Sequence, residues 1–441
     1  MNRKPLVIRR SLSGVLIWLI AAHAAASGAP PSPDRDGSSG PHDQRAERSG
    51  AEPRVDGVLT EREAVRLALG DLSFKEVLAG RVGISESDVT AAGLRPNPEL
   101  EFESESAKGL GDPSETTFLL SQTLDTSGRR ALRRQGAQAS LDATRDETQA
   151  DALERAYEVR RQFYGALHAQ QRAMVLRAWD ERVGETERIV RERTEAGETS
   201  EYDLRRLRHE RALARTQRDE VAAQRLQVWE TLLASLGPEG GGSERLSGRL
   251  LPAPPPPLES LTVRIEQRPD LRALRKREEA ARLARRAGER GTIPDITVGV
   301  GAKRVADDRR EDWELVLGLA VPLPLFDRGQ SAVARAEAQS RVAAGEYSLA
   351  WREAQGAARG LWQKVERLQQ SASRVEARYV GDARSLADTA RAAYRGGEVG
   401  IIELLDAYRG VMDTELRALD LALEARLAMI ELERVAGGTG E

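Results

Sequence analysis

Two carboxylates near the C-terminal end of the chain are the residues best suited to chemistry. Glu403 and Asp406 lie three residues apart at the start of a segment with a helical pattern. Residues at this spacing share one face of a helix, so their two negative charges lie close together. Like charges held this close repel each other and attract cations. The alternative is an ordinary pair of helix-start acids, which the helix dipole favours.

Other reactive residue types are sparse. The chain has four histidines and no cysteine. His23 and His42 lie in the N-terminal region, whereas His168 and His209 occur singly within helical segments. The sequence contains no hydrolase, metalloprotease or phosphate-binding motif. We therefore expect no enzyme activity, no cofactor, no metal site and no thioether lipid anchor.

The charge distribution argues against a nucleic-acid partner. The chain has 67 basic and 70 acidic residues, and its formal net charge is −3. The two signs are interspersed along the sequence, so no basic stripe is available for a phosphate backbone. We interpret these residues as the solvated faces of helices.

The elements that carry the acidic pair occur twice along the chain. The segment Gly197–Leu204 aligns with Gly397–Leu404, and each segment ends one polar helix and begins another. Upstream, Pro96–Leu100 pairs with Ile293–Ile296 at a similar separation. A period of about 200 residues is too long for a solenoid repeat, so it indicates a duplicated half-protein.

Two windows without proline predict very long helices. The chain has 19 prolines, but residues 114–237 and 325–441 contain none. We predict helices over Ala131–Ala196 and Gln330–Arg395, each roughly 100 Å long at about 1.5 Å per residue. Each is followed by a second helix that folds back through a turn with glycine: Ser200–Leu236 and Gly400–Ala436.

The sequence also predicts how these helices pack. Apolar residues of the last helix recur every three or four positions, from Leu405 to Ile430. This narrow seam is typical of helices that pack side by side. Two shorter helices precede the strand regions. One begins at Thr60 with a capping box that includes Glu63, and the other covers Val263–Arg290.

Four segments alternate with a period of two residues: Glu99–Ser106, Thr116–Leu124, Ile296–Ala302 and Trp313–Val321. Polar loops join each pair, at Lys108–Pro113 and Arg304–Asp312. One face of each strand is apolar, and the strands are long enough to cross a bilayer obliquely. A membrane sheet cannot keep open edges, so four strands per chain require a barrel shared between subunits. A small soluble sheet packed on the helices is the alternative.

The N-terminal region has the features of an export signal. Residues 1–26 combine four basic residues, an apolar run and a small-residue cleavage site. The run is too short for the alternative, a spanning anchor. We expect residues 27–57 to be a disordered lead-in, because they are rich in Pro, Ser, Gly and charge. We then divide the chain into a first repeat, a linker and a second repeat: 58–236, 237–258 and 259–437.

From about residue 58 to residue 437, the sequence resembles the outer-membrane efflux factor family, the TolC-like proteins. The motifs that carry the resemblance are Leu59–Ala64, Arg95–Leu100, Val321–Gly329 and the paired turns. The resemblance implies a mainly α homotrimer whose small transmembrane β part is a twelve-stranded barrel with four strands per chain. The barrel lies in outer-membrane lipid and continues into a long α-helical periplasmic tunnel. Such ducts are passive and dock onto a periplasmic adaptor and an inner-membrane pump.

The resemblance also implies roles for individual residues. Glu403 and Asp406 match the acidic pair of the family's periplasmic constriction, which three-fold symmetry would arrange as two stacked rings. Tyr394 matches a tyrosine at the family's tip. The turns that would dock onto the adaptor contain Gly197, Glu198, Thr199, Gly397, Glu398 and Val399. The sequences of Arg95–Pro98 and Pro322–Gly329 are most similar to those of the heavy-metal cation efflux branch.

The sequence departs from the family pattern in three places. No cysteine follows the signal, so the lipid anchor of many relatives is missing. Leu72–Ala92 contains Gly80 and Gly83, which leaves its local structure open. Val399 replaces a basic residue that often locks the closed tip. Two other functions stay open: a type I protein-secretion conduit with the same fold, and a secreted structural coiled-coil protein.

Overall fold

The computed structural model describes residues 57–106, 114–238, 245–306 and 310–438. The predicted signal peptide, nearly all of the lead-in and the loop Lys108–Pro113 lie outside these residues. Within the described parts, no helix combines the length and the apolar character needed to cross a bilayer.

The first half contains two short helices, two strands and a helical hairpin. The elements are β1 (Val58–Leu59), α1 (Glu61–Gly70), α2 (Leu72–Gly93), β2 (Glu99–Ser106), β3 (Ser114–Leu124), α3 (Arg129–Glu195) and α4 (Glu201–Leu236). The 67-residue α3 confirms the prediction of a very long helix at Ala131–Ala196. It begins at Gly128, whose φ of +69° suits glycine at the sharp entry from the sheet.

The second half repeats this order with local differences. The elements are β4 (Arg245–Leu246), α5 (Leu258–Ile265), α6 (Pro269–Glu289), β5 (Ile296–Ala306), β6 (Glu311–Ala320), α7 (Gln330–Arg374), α8 (Val380–Gly396) and α9 (Ile401–Ala436). The predicted helix Gln330–Arg395 is interrupted, because a π-helical segment, Val375–Tyr379, separates α7 from α8. The predicted loop Arg304–Asp312 was too long, since the two strands continue into it from both sides.

The prediction of one helix over Val263–Arg290 was wrong. Helices α5 and α6 replace it, separated by residues 266–268. Pro269 explains the break, because its ring disfavours helical backbone in the preceding residue. Arg268 accordingly has an extended ψ of 134°. The turn at Arg290–Thr292 is 3-10 in type and leads into β5.

Helix α2 resolves the open question of Leu72–Ala92. Asp71 begins the helix, since its side chain accepts the Phe74 N–H at 2.9 Å. The helix then lies along α3, where the Ser85 and Thr144 hydroxyls are 2.9 Å apart. None of its residues is buried in the single chain. Polar contacts and capping therefore offset the two internal glycines.

The four longer strands form one antiparallel sheet in the order β2-β3-β5-β6. The register confirms the predicted division into an apolar and a polar face. Phe102, Phe118, Ala302 and Leu315 stand opposite one another in one row of the apolar face. The glutamates of β2 alternate with its apolar residues, so they lie on the opposite, polar face of the sheet: Glu99, Glu101, Glu103 and Glu105. The outer edges of β2 and β6 have no strand partner within the described chain.

The sheet continues into a layer of four helices. Helices α2, α3, α6 and α7 are neighbours in that order. Helix α3 also belongs to a second set of contacts. It pairs with α4 and packs against α9, and α9 in turn pairs with α8. An apolar cluster near the turns joins the two hairpins, with Trp179, Leu207, Leu404 and Tyr408 among its buried members.

The two ends of the described chain meet at a buried arginine. The side chain of Arg160 in α3 is 4% exposed. It pairs with Glu61 of α1 and with Glu433 of α9, the latter at 2.6 Å. The hydroxyl of Tyr164 also donates to Glu61. Nearby, β1 and β4 form a parallel pair of two residues each, which the sequence did not predict.

Candidate functional site at the helix turns

The turns at Gly197 and Gly397 share one backbone geometry. Both glycines have positive φ, +77° and +75°. The Glu198 N–H donates to the Arg193 carbonyl at 2.8 Å, and the Glu398 N–H donates to the Ala393 carbonyl at 2.9 Å. These six-to-one bonds define a Schellman motif, which requires a left-handed residue at the glycine position. The sequence therefore predicted both turns correctly, whereas their docking role stays a prediction.

Polar side chains hold the first turn. The Thr194 and Thr199 hydroxyls lie 2.9 Å apart, and Thr199 also donates to the Val190 carbonyl at 3.4 Å. Ser200 caps α4, because its hydroxyl accepts the Asp203 N–H at 3.2 Å. The first turn is thus closed by hydrogen bonds between side chains and backbone.

The second turn is held by apolar packing instead. Val399 packs against the apolar cluster that joins the hairpins. Gly400 begins α9 without a side-chain cap. A carboxylate oxygen of Glu403 folds over Gly400, where it would lie 2.9 Å from an added Cβ. The start of α9 therefore has no hydroxyl cap, and the Glu403 carboxylate lies beside it.

Tyr394 lies where the two turns meet. Its side chain belongs to the apolar cluster, and the residue is 8% exposed. The guanidinium of Arg193 lies 5.9 Å from the centre of the tyrosine ring, within cation–π range. Arg193 also donates to Glu198 at 3.1 Å. Burial raises the pKa of Tyr394, and the charge of Asp203 raises it further.

Arg193 is a site residue that the sequence reasoning missed. Position 399, where the family often has a basic residue, is valine in this chain. The structure instead places a basic side chain beside Tyr394 from the end of α3, six residues before Thr199. Nothing in the local sequence marks Arg193 among its many arginine neighbours. Only the packing of α3 against the second hairpin identifies it.

Glu403 and Asp406 lie on the exposed side of α9. The adjacent Leu404 and Leu405 are buried, which turns both carboxylates towards solvent. Within the described residues, neither carboxylate forms an ion pair with a basic side chain. Glu403 lies in the first turn of the helix, where the dipole favours an acid. Asp406 lies beyond that turn, so the dipole does not account for it.

Arg409 follows the acidic pair, and its positive charge is paired with another carboxylate. Arg409 Nε donates to Glu210 of α4 at 3.0 Å, and a second nitrogen completes a two-pronged contact. This hydrogen bond raises the pKa of Arg409, with smaller contributions from Asp406 and Asp413. Glu210 is buried, so the pair fixes α9 against the first hairpin. The positive charge of Arg409 is therefore largely committed away from Asp406.

The arrangement is suited to electrostatic selection and not to bond chemistry. Within the described chain, no group of three or more histidine, aspartate or glutamate residues is placed to hold a metal ion. His168 is paired with Asp420 at 2.9 Å, and His209 stands alone. Two exposed acids on one helix face can attract a cation but cannot enclose it.

Comparison with known proteins decides the family. The model of the family described as outer membrane efflux protein matches residues 82–238 and 263–438, which covers most of both halves. The chain belongs to the outer membrane efflux protein family. This membership agrees with the resemblance drawn from the motifs, and it argues against a secreted coiled-coil protein. Outer membrane efflux proteins are ducts and not enzymes.

Individual proteins that are similar to this outer membrane efflux protein have low sequence identity to it. It is 27% identical over 399 residues to the cobalt-zinc-cadmium resistance protein CzcC of Cupriavidus metallidurans, covering 86% of this chain and 90% of that protein. A membrane protein from Pseudomonas aeruginosa has a TM-score of 0.71 at 18% identity, covering 86% of this chain and 92% of its own. CusC has a TM-score of 0.70 at 18% identity with the same coverage. The Campylobacter jejuni channel CmeC reaches 0.69 at 13% identity, covering 86% and 85%.

The structural likenesses concern the fold alone, and they agree with its mainly α character. As an outer membrane efflux protein, the chain functions as an outer-membrane channel component of an efflux system. The family model includes both helix turns, the acidic pair and all four strands. It does not assign roles to individual residues, so those of Glu403, Asp406 and Tyr394 remain predictions.

Proposed function

We propose that three copies of this chain close into a single duct, with a shared twelve-stranded barrel in the outer membrane and an α-helical tunnel in the periplasm. The observation that carries the proposal is that the strands of the sheet and the helices of the helical layer are arranged in the same order. The sheet ends at β2 and β6, and the helical layer ends at α2 and α7. Each edge of the sheet is therefore followed by the matching edge of the helical layer.

Exposed apolar residues on the edge helices support this closure. Val77 and Ile84 of α2 are 53% and 67% exposed, and Val342 and Leu349 of α7 are 57% and 53% exposed. A second copy can cover these residues while its β2 pairs with β6 of the first. The contact is heterologous, so repeated rotation closes a ring. The resemblance sets the number of copies at three.

The polar face of the sheet supports cations as the substrate class. Glu99, Glu101, Glu103 and Glu105 follow one another on this face of β2. In a closed barrel, the apolar face contacts lipid and the polar face lines the lumen. A lumen lined by carboxylates favours cations. The names of the relative CzcC and the proposed branch point to heavy-metal cations in particular.

The proposed partners act at the opposite end. A periplasmic adaptor would dock onto the turns at Gly197–Thr199 and Gly397–Val399, and an inner-membrane pump would supply the substrate. Glu403, Asp406 and Tyr394 would form the constriction just inside these turns. The duct itself would be passive.

Cross-linking tests the closure directly. The natural chain lacks cysteine, so a cysteine in β2 and one in β6 provide a clean pair. We expect a series that combines positions 99–105 with positions 312–318 to yield a covalent trimer for matched registers. Each single-cysteine variant serves as its own control and should stay uncross-linked. A monomer in detergent by mass measurement, with no cross-link at any register, would refute the proposal.

Metal content of cells tests the substrate class. Cells that lack their own duct would receive this chain together with a matching pump and adaptor. We expect cellular cobalt, zinc and cadmium to fall compared with cells that carry an empty vector. Export of a protein into the medium with unchanged metal content would favour a type I secretion conduit instead.

A further inference from the structure

The apolar face of the sheet continues past both edge strands. In β2, Leu100 and Phe102 lie on this face, and the same alternation places Leu94, Pro96 and Pro98 before the strand. After β6, the series of Leu315, Leu317 and Leu319 continues as Val321, Leu323 and Leu325. The edge strands therefore have apolar extensions that pair with no other strand in the described chain.

Prolines explain why these extensions form neither helix nor paired strand, and the second one turns at Leu323–Leu325, where the Leu325 N–H donates to the Leu323 carbonyl at 2.8 Å. Pro96 and Pro98 flank Asn97, and Pro322 and Pro324 flank Leu323. Proline supplies no N–H and disfavours helical backbone in the residue before it. Helix α2 therefore ends before the first extension, and α7 begins only after the second.

The extensions are unusually exposed for apolar chain. Leu94 is 66% exposed, Leu323 74%, Leu325 63% and Phe326 90%. Such a continuous apolar patch, next to a sheet that is itself apolar on one face, indicates contact with lipid or with another chain.

Three arginines lie beside these extensions: two contact Gly93, the residue before the first, and one contacts Pro324 within the second. Arg130 donates to the Gly93 carbonyl at 3.4 Å, and the side chain of Arg134 lies beside the same glycine. Arg328 donates to the Pro324 carbonyl at 3.3 Å. Within the described residues, none of the three pairs with a carboxylate. Their charges are therefore available to an external anion.

The first turn of α3 adds a second indication. It contains two arginines and no acidic residue. The helix dipole favours acids at this end, and Asp125 supplies one, because its carboxylate accepts the Gly128 and Arg130 N–H groups at 2.8 and 3.0 Å. Arg129 pairs with Asp295, so the guanidinium of Arg130 is the one in this turn that has no carboxylate partner among the described residues.

The inner strands lack these features. Where β3 leads into α3 and α6 leads into β5, the connections are bonded to each other. Arg129 pairs with Asp295 at 2.8 Å, and the Thr126 hydroxyl donates to the Pro294 carbonyl at 2.6 Å. The arginine at these inner connections is therefore paired, whereas Arg130, Arg134 and Arg328 beside the edge segments have no carboxylate partner among the described residues.

We propose that these edge segments form a junction collar that binds anionic phospholipid in the periplasmic leaflet of the outer membrane. The collar consists of Leu94–Pro98 and Val321–Phe326 with Arg130, Arg134 and Arg328. Its apolar side chains enter the headgroup region, and its guanidinium groups bind lipid phosphate. The proposal rests on the membrane location proposed above for the sheet.

Spin labelling tests where the collar lies. We would place a nitroxide at Leu323→Cys in the cysteine-free trimer, reconstituted into vesicles of phosphatidylcholine and phosphatidylglycerol. We expect the label to be accessible to oxygen and protected from a water-soluble nickel chelate. The control is Leu386→Cys on α8, which is 63% exposed and should be accessible to the chelate. Equal nickel accessibility at the two positions would overturn the proposal.

Lipid selection tests the role of the arginines. The variant combines Arg130→Gln, Arg134→Gln and Arg328→Gln, and its control combines Arg225→Gln, Arg359→Gln and Arg367→Gln. We would measure how strongly spin-labelled phosphatidylglycerol associates with the trimer relative to phosphatidylcholine. We expect the preference for the anionic lipid to fall about fivefold or more in the variant, because the loss of even one arginine near an anionic membrane surface weakens binding by about that factor. The control should keep it, and an equal preference in both proteins would overturn the proposal.

The two experiments separate this proposal from the proposed function. Trimer mass and vesicle insertion are measured first on the unsubstituted chain. If the chain neither trimerises nor inserts, the proposed function fails. If trimers insert but position 323 is open to water, only the collar fails.

Discussion

The turn at Gly197 and the turn at Gly397 have the same backbone hydrogen bonds and different side chains around them. The first turn has a threonine pair and a serine cap. The second has Val399 in an apolar contact and a glycine at the start of its helix. The duplicated sequence has thus preserved the geometry of the turn while its chemistry has diverged.

The same divergence occurs one turn into the following helices. Asp203 and Arg206 of α4 occupy the positions that Glu403 and Asp406 occupy in α9. The first helix therefore combines opposite charges, whereas the second places two like charges on an exposed face. We predict from this difference that the first turn supports the tip and that the second selects the ions that pass it.

Removing the side chain of Tyr394 should have the largest effect on this comparison. Tyr394→Ala creates a cavity where the two turns meet, and a loss of about 3 kcal/mol is expected for a large buried side chain. Hydrogen exchange should then increase at both turns. Tyr394→Phe is the matched control and should change little, because the hydroxyl forms no hydrogen bond within the described residues. Equal exchange in the two variants would contradict the packing role.

Neutralising the acidic pair tests the ion-selecting role of the second turn. In a trimer, Glu403→Ala with Asp406→Ala removes six carboxylates. We expect block by hexaamminecobalt(III) from the turn side to weaken by about three orders of magnitude, since one charge pair at 4 Å contributes roughly 4 kcal/mol at an effective dielectric constant of about 20 and about 1.4 kcal/mol is a factor of ten. Single-channel conductance in a planar bilayer measures the block.

Asp203→Ala is the matched control for that experiment, because it removes the acid at the equivalent position of the first turn. We expect this variant to keep the block. If both variants lose it, the two turns contribute alike and the comparison fails. If neither loses it, the constriction lies elsewhere.

The helix caps allow a smaller test of the same difference. Ser200→Ala should destabilise the start of α4 by about 1 kcal/mol, because the Asp203 N–H loses its acceptor. Gly400→Ser should stabilise the start of α9 by only a few tenths of a kcal/mol. Hydrogen exchange of the first turn of each helix measures both effects. A larger change at Gly400 than at Ser200 would show that the second turn depends more on its cap.

The smallest expected effect concerns the seam between the two halves. Burial lowers the pKa of His168, which pairs with Asp420 across α3 and α9. The unfolded chain then binds the proton more tightly, so stability is complete above about pH 6.5 and falls as the pH decreases through the range below it. Urea unfolding at pH 8 and pH 5.5 should show this slope, and His168→Gln should reduce it. An unchanged slope would place the titration at another group.

The sequence was most informative where a pattern extends over many residues. Proline-free windows predicted α3 within two residues of its start, and alternation predicted all four strands of the sheet. Short-range features were less visible. The pairing of β1 with β4 involves only two residues each, which is too few for a periodic signal. The break before Pro269 was marked in the sequence, but the prediction gave more weight to the helix formers around it.

The candidate site was predictable only in part for a related reason. Glycine and glutamate mark the two turns in the sequence, since the Schellman geometry requires a particular residue type. Arg193 and Glu210 act through contacts between hairpins, and such contacts follow from packing rather than from local pattern. The predicted roles of Glu403 and Asp406 depend on the proposed three-fold assembly, which a single chain does not contain.

The π-helical segment Val375–Tyr379 has a consequence for the phase of the helix that contains it. Ala358, Val365 and Ala372 are buried at intervals of seven residues before the segment, and Ala387 and Tyr394 at the same interval after it. From Ala372 to Ala387 the interval is one residue more than two heptads. An extra residue in an α-helix rotates everything beyond it by about 100°. The wider turn absorbs that residue. Tyr394 is thereby kept on the buried stripe, and its position at the tip is set by a correction about fifteen residues away.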